Sequence, residues 1–193
     1  MSKNLSLYAV DAFLILDNEG KRLYAKYYKA PHKTEQEFEA SQFATLKSQK
    51  AFEKSLFAKS YKQNADIILF EDHIVVYKEV SDVVIYLISG LDENESILFQ
   101  TLEGFKDGLD KVLNYQLDKK TIQENFDKVS IAADETIDDG IILETESSVI
   151  AARTSKAPTN EPSLKNIDLS EKGLFNAFNF ARGKLAERIQ QGL

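Results

Sequence analysis

The chain of 193 residues contains no cysteine and no tryptophan, one methionine, three prolines and two histidines. Without cysteine, disulfides and thiolate zinc sites are excluded, and the expected compartment is a reducing one. With only His32 and His73, widely separated, no HxxxH or HExxH pair sets two imidazoles on one helix face. Both read as surface turn histidines. Long apolar runs are missing too. The most apolar strand-like run, residues 83–88, is far below the roughly 20 residues a membrane span needs. The start, MSKNLSLYAVD, lacks signal-peptide architecture, so the expectation is a soluble cytosolic protein. No basic block interrupts a net charge of −7, which argues against general nucleic-acid binding. Phosphate-binding GxGxxG and P-loop motifs and the GxSxG nucleophile elbow are absent.

What is present is packing information, densest in residues 121–153, TIQENFDKVSIAADETIDDGIILETESSVIAAR. Thr121 and Glu124 have capping-box spacing. Ile122, Phe126, Val129, Ala133 and Ile137 follow as one helical face. Gly140 is placed to end that helix in a left-handed conformation. Ile141, Ile142 and Leu143 then form a run without alternation that is expected to bury against something. A second short helix follows.

The first half reads as hairpins around one helix. Residues 7–16 form a strand apolar on both faces and hence central. Asp17, Asn18, Glu19 and Gly20 make a turn, and residues 21–28 return as a strand whose Lys21, Arg22 and Lys26 suit an edge. A helix is expected within residues 35–59, on Phe43, Leu46, Phe52 and Leu56. Residues 67–70, 74–77 and 83–88 form a meander, the last strand central. Asp92 is the candidate cap of a helix striped by Leu98, Leu102, Phe105, Leu109 and Val112. The polar stretch after Arg153 carries Pro158 and Pro162 and reads as a linker. A basic amphipathic helix built on Leu174, Phe178, Ala181, Leu185 and Ile189 follows it. The expected class is therefore α+β: a five-stranded antiparallel sheet with helices on both faces over residues 1–152, a linker over 153–169, and a C-terminal helix over 170–193.

This order resembles the longin fold. The segments VDAFLILDNEGKRLYAKYY, QKAFEKSLF, DIILFEDHIVVYKE, DENESILFQTLEGFKDGLDKVL and AADETIDDGIILETESSVIAAR are similar to the zeta subunits of coatomer and, more distantly, to the small sigma chains of clathrin adaptors. The likeness spans residues 7–153. It implies a non-enzymatic small subunit of the COPI coat, working between Golgi and endoplasmic reticulum. It further implies an obligate contact with the large gamma subunit and recruitment of the whole complex by an Arf-class GTPase. No cofactor and no catalytic residue follow from it. The stretch 31–46 looks longer than the family's, and no family role carries onto residues after Pro162.

Two other functions remain open at this point. One is a sigma-type adaptor chain, which would add cargo reading. The other is a carboxylate-dependent metal hydrolase built on Asp134, Glu135, Asp138 and Asp139, with Asp134 and Asp138 four apart on one helix face. A solvated helix end is the simpler reading of these acids, and a basic partner surface comes next. Gly104 and Gly108 have GxxxG spacing, read as close approach of another element rather than as a membrane motif. Asp11 within the first strand is expected to be hydrogen-bonded rather than catalytic.

Overall fold

A computed structural model describes residues 7–30, 41–63 and 65–155. Residues 31–40 with His32, and the expected C-terminal helix, lie outside the described residues. The described part belongs to one compact unit that runs to Lys156.

Five strands form one sheet: β1 (Val10–Asp17), β2 (Arg22–Tyr27), β3 (Ile67–Phe70), β4 (His73–Val80) and β5 (Val83–Gly90). Their order is β2-β1-β5-β4-β3, and each pairing is antiparallel. The basic strand β2 is an edge, as its charges suggested, and β5 is the centre. Side chains alternate on β5, so Val83, Ile85 and Leu87 enter one core while Val84, Tyr86 and Ile88 enter another. Strand β1 divides likewise, with Leu14 and Leu16 opposite to Phe13 and Ile15. A register shift between Val10 and Ala12 breaks strict alternation and puts Val10 with Phe13.

Among the described residues, one face of the sheet is covered by helix α1 (Leu46–Ser60). Thr45 caps it, accepting from the Ser48 amide while the Ser48 hydroxyl accepts from the Thr45 amide. Its Phe52 and Leu56 are buried beside Phe43, which precedes the helix. Leu46, expected on the same stripe, lies instead on the exposed first turn.

The other face takes α2 (Glu95–Val112), α3 (Lys119–Glu124), α4 (Phe126–Thr136) and α5 (Ser147–Thr154). Leu98, Leu102, Phe105 and Leu109 of α2 are buried as their spacing predicts, with Leu113 rather than Val112 completing the row. Full burial of such a side chain is worth roughly 1.5–3 kcal/mol. The cap of α2 is Asn94, not Asp92, because its side chain reaches the amides of Ser96 and Ile97. Gly104 and Gly108 face α5 and the segment leading into it. A β-carbon at Gly104 would sit 2.0 Å from the Thr145 carbonyl oxygen, and one at Gly108 would sit 3.0 Å from Ile150 Cγ2.

The single helix expected over residues 121–140 is two helices. Asp118, whose carboxylate accepts from the Thr121 amide, starts α3, and the chain breaks at Asn125 with φ −122° and ψ 38°. Ile122, Val129 and Ala133 are buried, but the break leaves Phe126 exposed. Helix α4 stops at Thr136, and Ile137 opens a two-stranded ribbon, β6 (Ile137–Asp138) with β7 (Ile141–Ile142). Gly140 is thus in a hairpin turn rather than a helix cap. Its carbonyl accepts from the Val10 amide, and Tyr8 bridges to Ile141, tying the chain's first strand to this ribbon. Helix α5 continues through Thr154, so Arg153 and Thr154 are helical rather than linker.

Asp17 closes one end of the sheet. It is fully buried, and its carboxylate takes the Lys119 ammonium at 2.7 Å and the backbone amides of Glu19 and Lys21. Burial pushes the carboxyl up, but the Lys119 contact and the two amides together hold it below the ordinary carboxylate value. Its stabilising contribution is therefore complete at neutral pH and is lost as pH falls below about 3.9 and through the folded value. Asp17→Asn should lower stability at pH 7 and flatten the acid limb of a plot of urea midpoint against pH. Gly104→Ala should lower stability by about 2 kcal/mol from overpacking, despite a gain of about 1 kcal/mol in helix propensity. Chemical denaturation measures both.

Candidate docking surface

The acidic group over residues 134–139 does not assemble as a cage. Lys26 Nζ lies 2.7 Å from Asp134 Oδ1, and Arg153 Nη1 lies 3.6 Å from Glu135 Oε2. Asp138 belongs to β6 and Asp139 to the turn, so Asp134 and Asp138 do not share a helix face as the spacing suggested. Among the described residues no three metal-capable side chains converge. Asp134 and Glu135 are engaged with β2 and α5 instead.

His73 begins β4 rather than sitting in the connection before it. Its Nδ1 lies 2.7 Å from the Glu71 carbonyl oxygen and 3.4 Å from Gln42 Nε2. Nε2 lies 3.9 Å from Asp11 Oδ2. The ring packs against Phe43 and Phe52, with centroids 5.2 and 6.1 Å away. His73 is a half-buried packing residue beside Asp11, which accounts for both without catalysis.

One remaining surface feature is apolar. Among the described residues strand β3 pairs only with β4, so its outer row of amides and carbonyls has no strand partner there. Ile68 and Phe70 pack on the α1 side of the sheet. Ile67 and Leu69 point to the opposite side and are 41% and 70% exposed. Their partners in register, Val76 and Ile74, are buried. Beside them Lys78 sits with Nζ 5.8 Å from the Phe99 ring centroid and 3.7 Å from Glu103 Oε1. A two-residue turn with positive φ at Glu71 and Asp72 closes this hairpin. An open, uncharged edge with two exposed aliphatics is a site for pairing with another chain. Composition alone gave no sign of it, because an apolar run of four reads as a buried strand until its place in the sheet is known.

The run of residues 141–143 buries less than expected. Ile141 and Ile142 are half-buried, Ile142 against the core, and Leu143 is 53% exposed. The ribbon sets Ile142 inward against Ile137, and the chain then turns out toward α5. The structure therefore leaves aliphatic side chains exposed at the β3 edge and beyond the ribbon, and no assembled catalytic group is found among the described residues.

Residues 9–160 match the family described as clathrin adaptor complex small chain. The chain belongs to that family. Within the adaptor small chains, it is similar to coatomer zeta subunits almost from end to end. It is 52% identical to coatomer subunit zeta of Saccharomyces cerevisiae over 190 residues, 98% of this chain and 99% of that one. It is 37% identical to coatomer subunit zeta-1 of Oryza sativa over 94% of this chain and 96% of the relative. With human coatomer subunit zeta-1 it shares 36% identity over 86% and 90% of the two chains. The five-stranded sheet with helices on both faces is the adaptor small-chain, longin-like fold.

One solution property follows for this adaptor small chain. Calorimetry with magnesium, calcium or manganese is expected to give no stoichiometric heat, since Lys26 and Arg153 already neutralise Asp134 and Glu135. A one-to-one micromolar site removed by Asp138→Asn would contradict that arrangement.

Proposed function

We infer that this chain is a small structural subunit of the coatomer coat in vesicle-mediated transport. The observation that carries the reading is the likeness to coatomer zeta subunits along nearly the whole of both chains. The adaptor family model alone would fit a sigma chain equally well. The identity to zeta subunits over the full length favours the coatomer assignment. The chain acts by shape rather than by chemistry, and the engaged acidic group supports a non-enzymatic role.

The reading extends to one direct partner, the large gamma subunit, and to peripheral association with Golgi membranes when an Arf-class GTPase recruits the whole complex. An obligate interface of this kind typically buries more than about 2,000 Å² and is apolar. The exposed Ile67 and Leu69 on the open edge of β3 support attachment there, because an added strand or helix would cover aliphatics now in water.

Coexpression with coatomer gamma is expected to raise the soluble yield of this chain and to give one coeluting species in size exclusion. Leu69→Glu should weaken copurification while changing the stability of the isolated chain by less than about 0.5 kcal/mol, the usual surface range. A stable monomer that ignores gamma, with wild-type and Leu69→Glu chains behaving alike, would sink the assignment.

A further inference from the structure

A groove of about 650 Å³ lies between the β1–β2 turn and helix α1, on the far side of the sheet from α2. Its walls carry Lys21, Arg22, Lys50 and Lys54 against Glu19 and Glu53. The two acids are already taken. Glu19 pairs with Lys21, and Glu53 receives Arg22 through both oxygens together with the Tyr27 hydroxyl at 2.7 Å. Burial first, then the neighbouring Glu53 carboxylate, push the Tyr27 phenol well up, so it remains a donor to Glu53. Glu53 is the single acid in α1 and is buried, turned into the helix–sheet contact rather than out toward the lysines.

Lys50 and Lys54 therefore face the groove without a counter-charge, and neither forms an ion pair among the described residues. Lys47 extends the same helix face by one turn at three-residue spacing. A positive face of this kind stands out on a chain with net charge −7. At the rim Leu46, 57% exposed, offers an aliphatic contact beside the charges. The turn holds its place over the helix because Gly20 has φ +76° and a β-carbon there would meet the Phe57 ring at 2.8 Å. The groove is thus a built concavity between two fixed walls.

We propose that this groove binds an acidic segment of a protein partner, in which carboxylates meet Lys50 and Lys54 and an aliphatic side chain covers Leu46. Concavity favours a polypeptide over a flat membrane surface. The site is separate from the β3 edge and does not depend on the coat assignment.

The test uses the full chain and a fluorescent decapeptide of glutamates with one central leucine, followed by fluorescence anisotropy. Saturable binding is expected at 50 mM salt, weakening at least tenfold by about 300 mM as screening shortens to a few ångströms. Lys50→Glu/Lys54→Glu should weaken binding at least tenfold. Lys59→Glu/Lys120→Glu, with the same change in net charge at exposed sites elsewhere, should bind as wild type. Replacing the peptide leucine by serine should weaken binding, and Leu46→Ser should then add nothing further. Equal loss in the two lysine-pair variants would reduce the effect to net charge and overturn the proposal. So would the absence of peptide binding by the wild-type chain. Sedimentation with phosphatidylserine vesicles that only the Lys50/Lys54 variant loses, without peptide binding, would make this a membrane contact and overturn it too. Circular dichroism checks that each variant is folded.

Discussion

Everything in this fold depends on covering β5 twice. Val83 through Ile88 are apolar without interruption, and a strand of that kind has no solvent face to offer. Antiparallel neighbours satisfy its backbone, but its side chains demand a layer above and a layer below. On one side helix α1 supplies Phe52 and Leu56. On the other, α2 lies across β4 and β5, and the shorter helices pack around it. Among the described residues the two layers are unequal. Four helices crowd one face so closely that α2 needs glycines where α5 approaches. On the other face a groove remains at the flank of α1.

Legibility in the sequence followed the number of competing local signals. The strands were plain because β-branched runs between turn residues have few alternative conformations, and β1 and β5 declared themselves central by being apolar on both faces. The glycine spacing at 104 and 108 also read correctly as close approach, since a charged helix has no other reason to carry two small residues four apart. Residues 121–140 misled because their apolar spacing continues smoothly through a break. Asn125 can leave the helical region at little cost, and Asp118 was the better acceptor for the Thr121 amide. The spacing matched Phe126 and Ile137 to one face although neither lies within the same helix as Ile122. Leu46 and Leu143 illustrate a different limit. Each ends an apolar pattern at an element boundary, where pattern no longer determines orientation.

The docking features were the least legible part. Ile67 and Leu69 are exposed only because β3 falls at the edge of the sheet, which is a property of topology and not of four residues. The groove beside α1 joins residues nearly thirty positions apart through a turn and a helix. Its positive character was hidden inside an acidic total. The acidic group near residue 134 drew attention for the opposite reason, because it is contiguous in sequence. In the fold its charges are distributed among a helix, a ribbon and a turn, and the partners of the two helical acids, Asp134 and Glu135, come from β2 and α5.

The joining of the first strand to the ribbon has a consequence for how the chain is made. The Val10 amide is satisfied by the Gly140 carbonyl, and Tyr8 bridges to Ile141, so β1 is completed by residues synthesised about 130 positions later. Its main neighbour, β5, is itself some 70 residues downstream. Such long separations raise the contact order and delay closure of the sheet. As the chain leaves the ribosome, α1 follows soon enough to cover one face of the β1–β2 hairpin, while the open end of β1 is closed only when the ribbon around Gly140 has emerged.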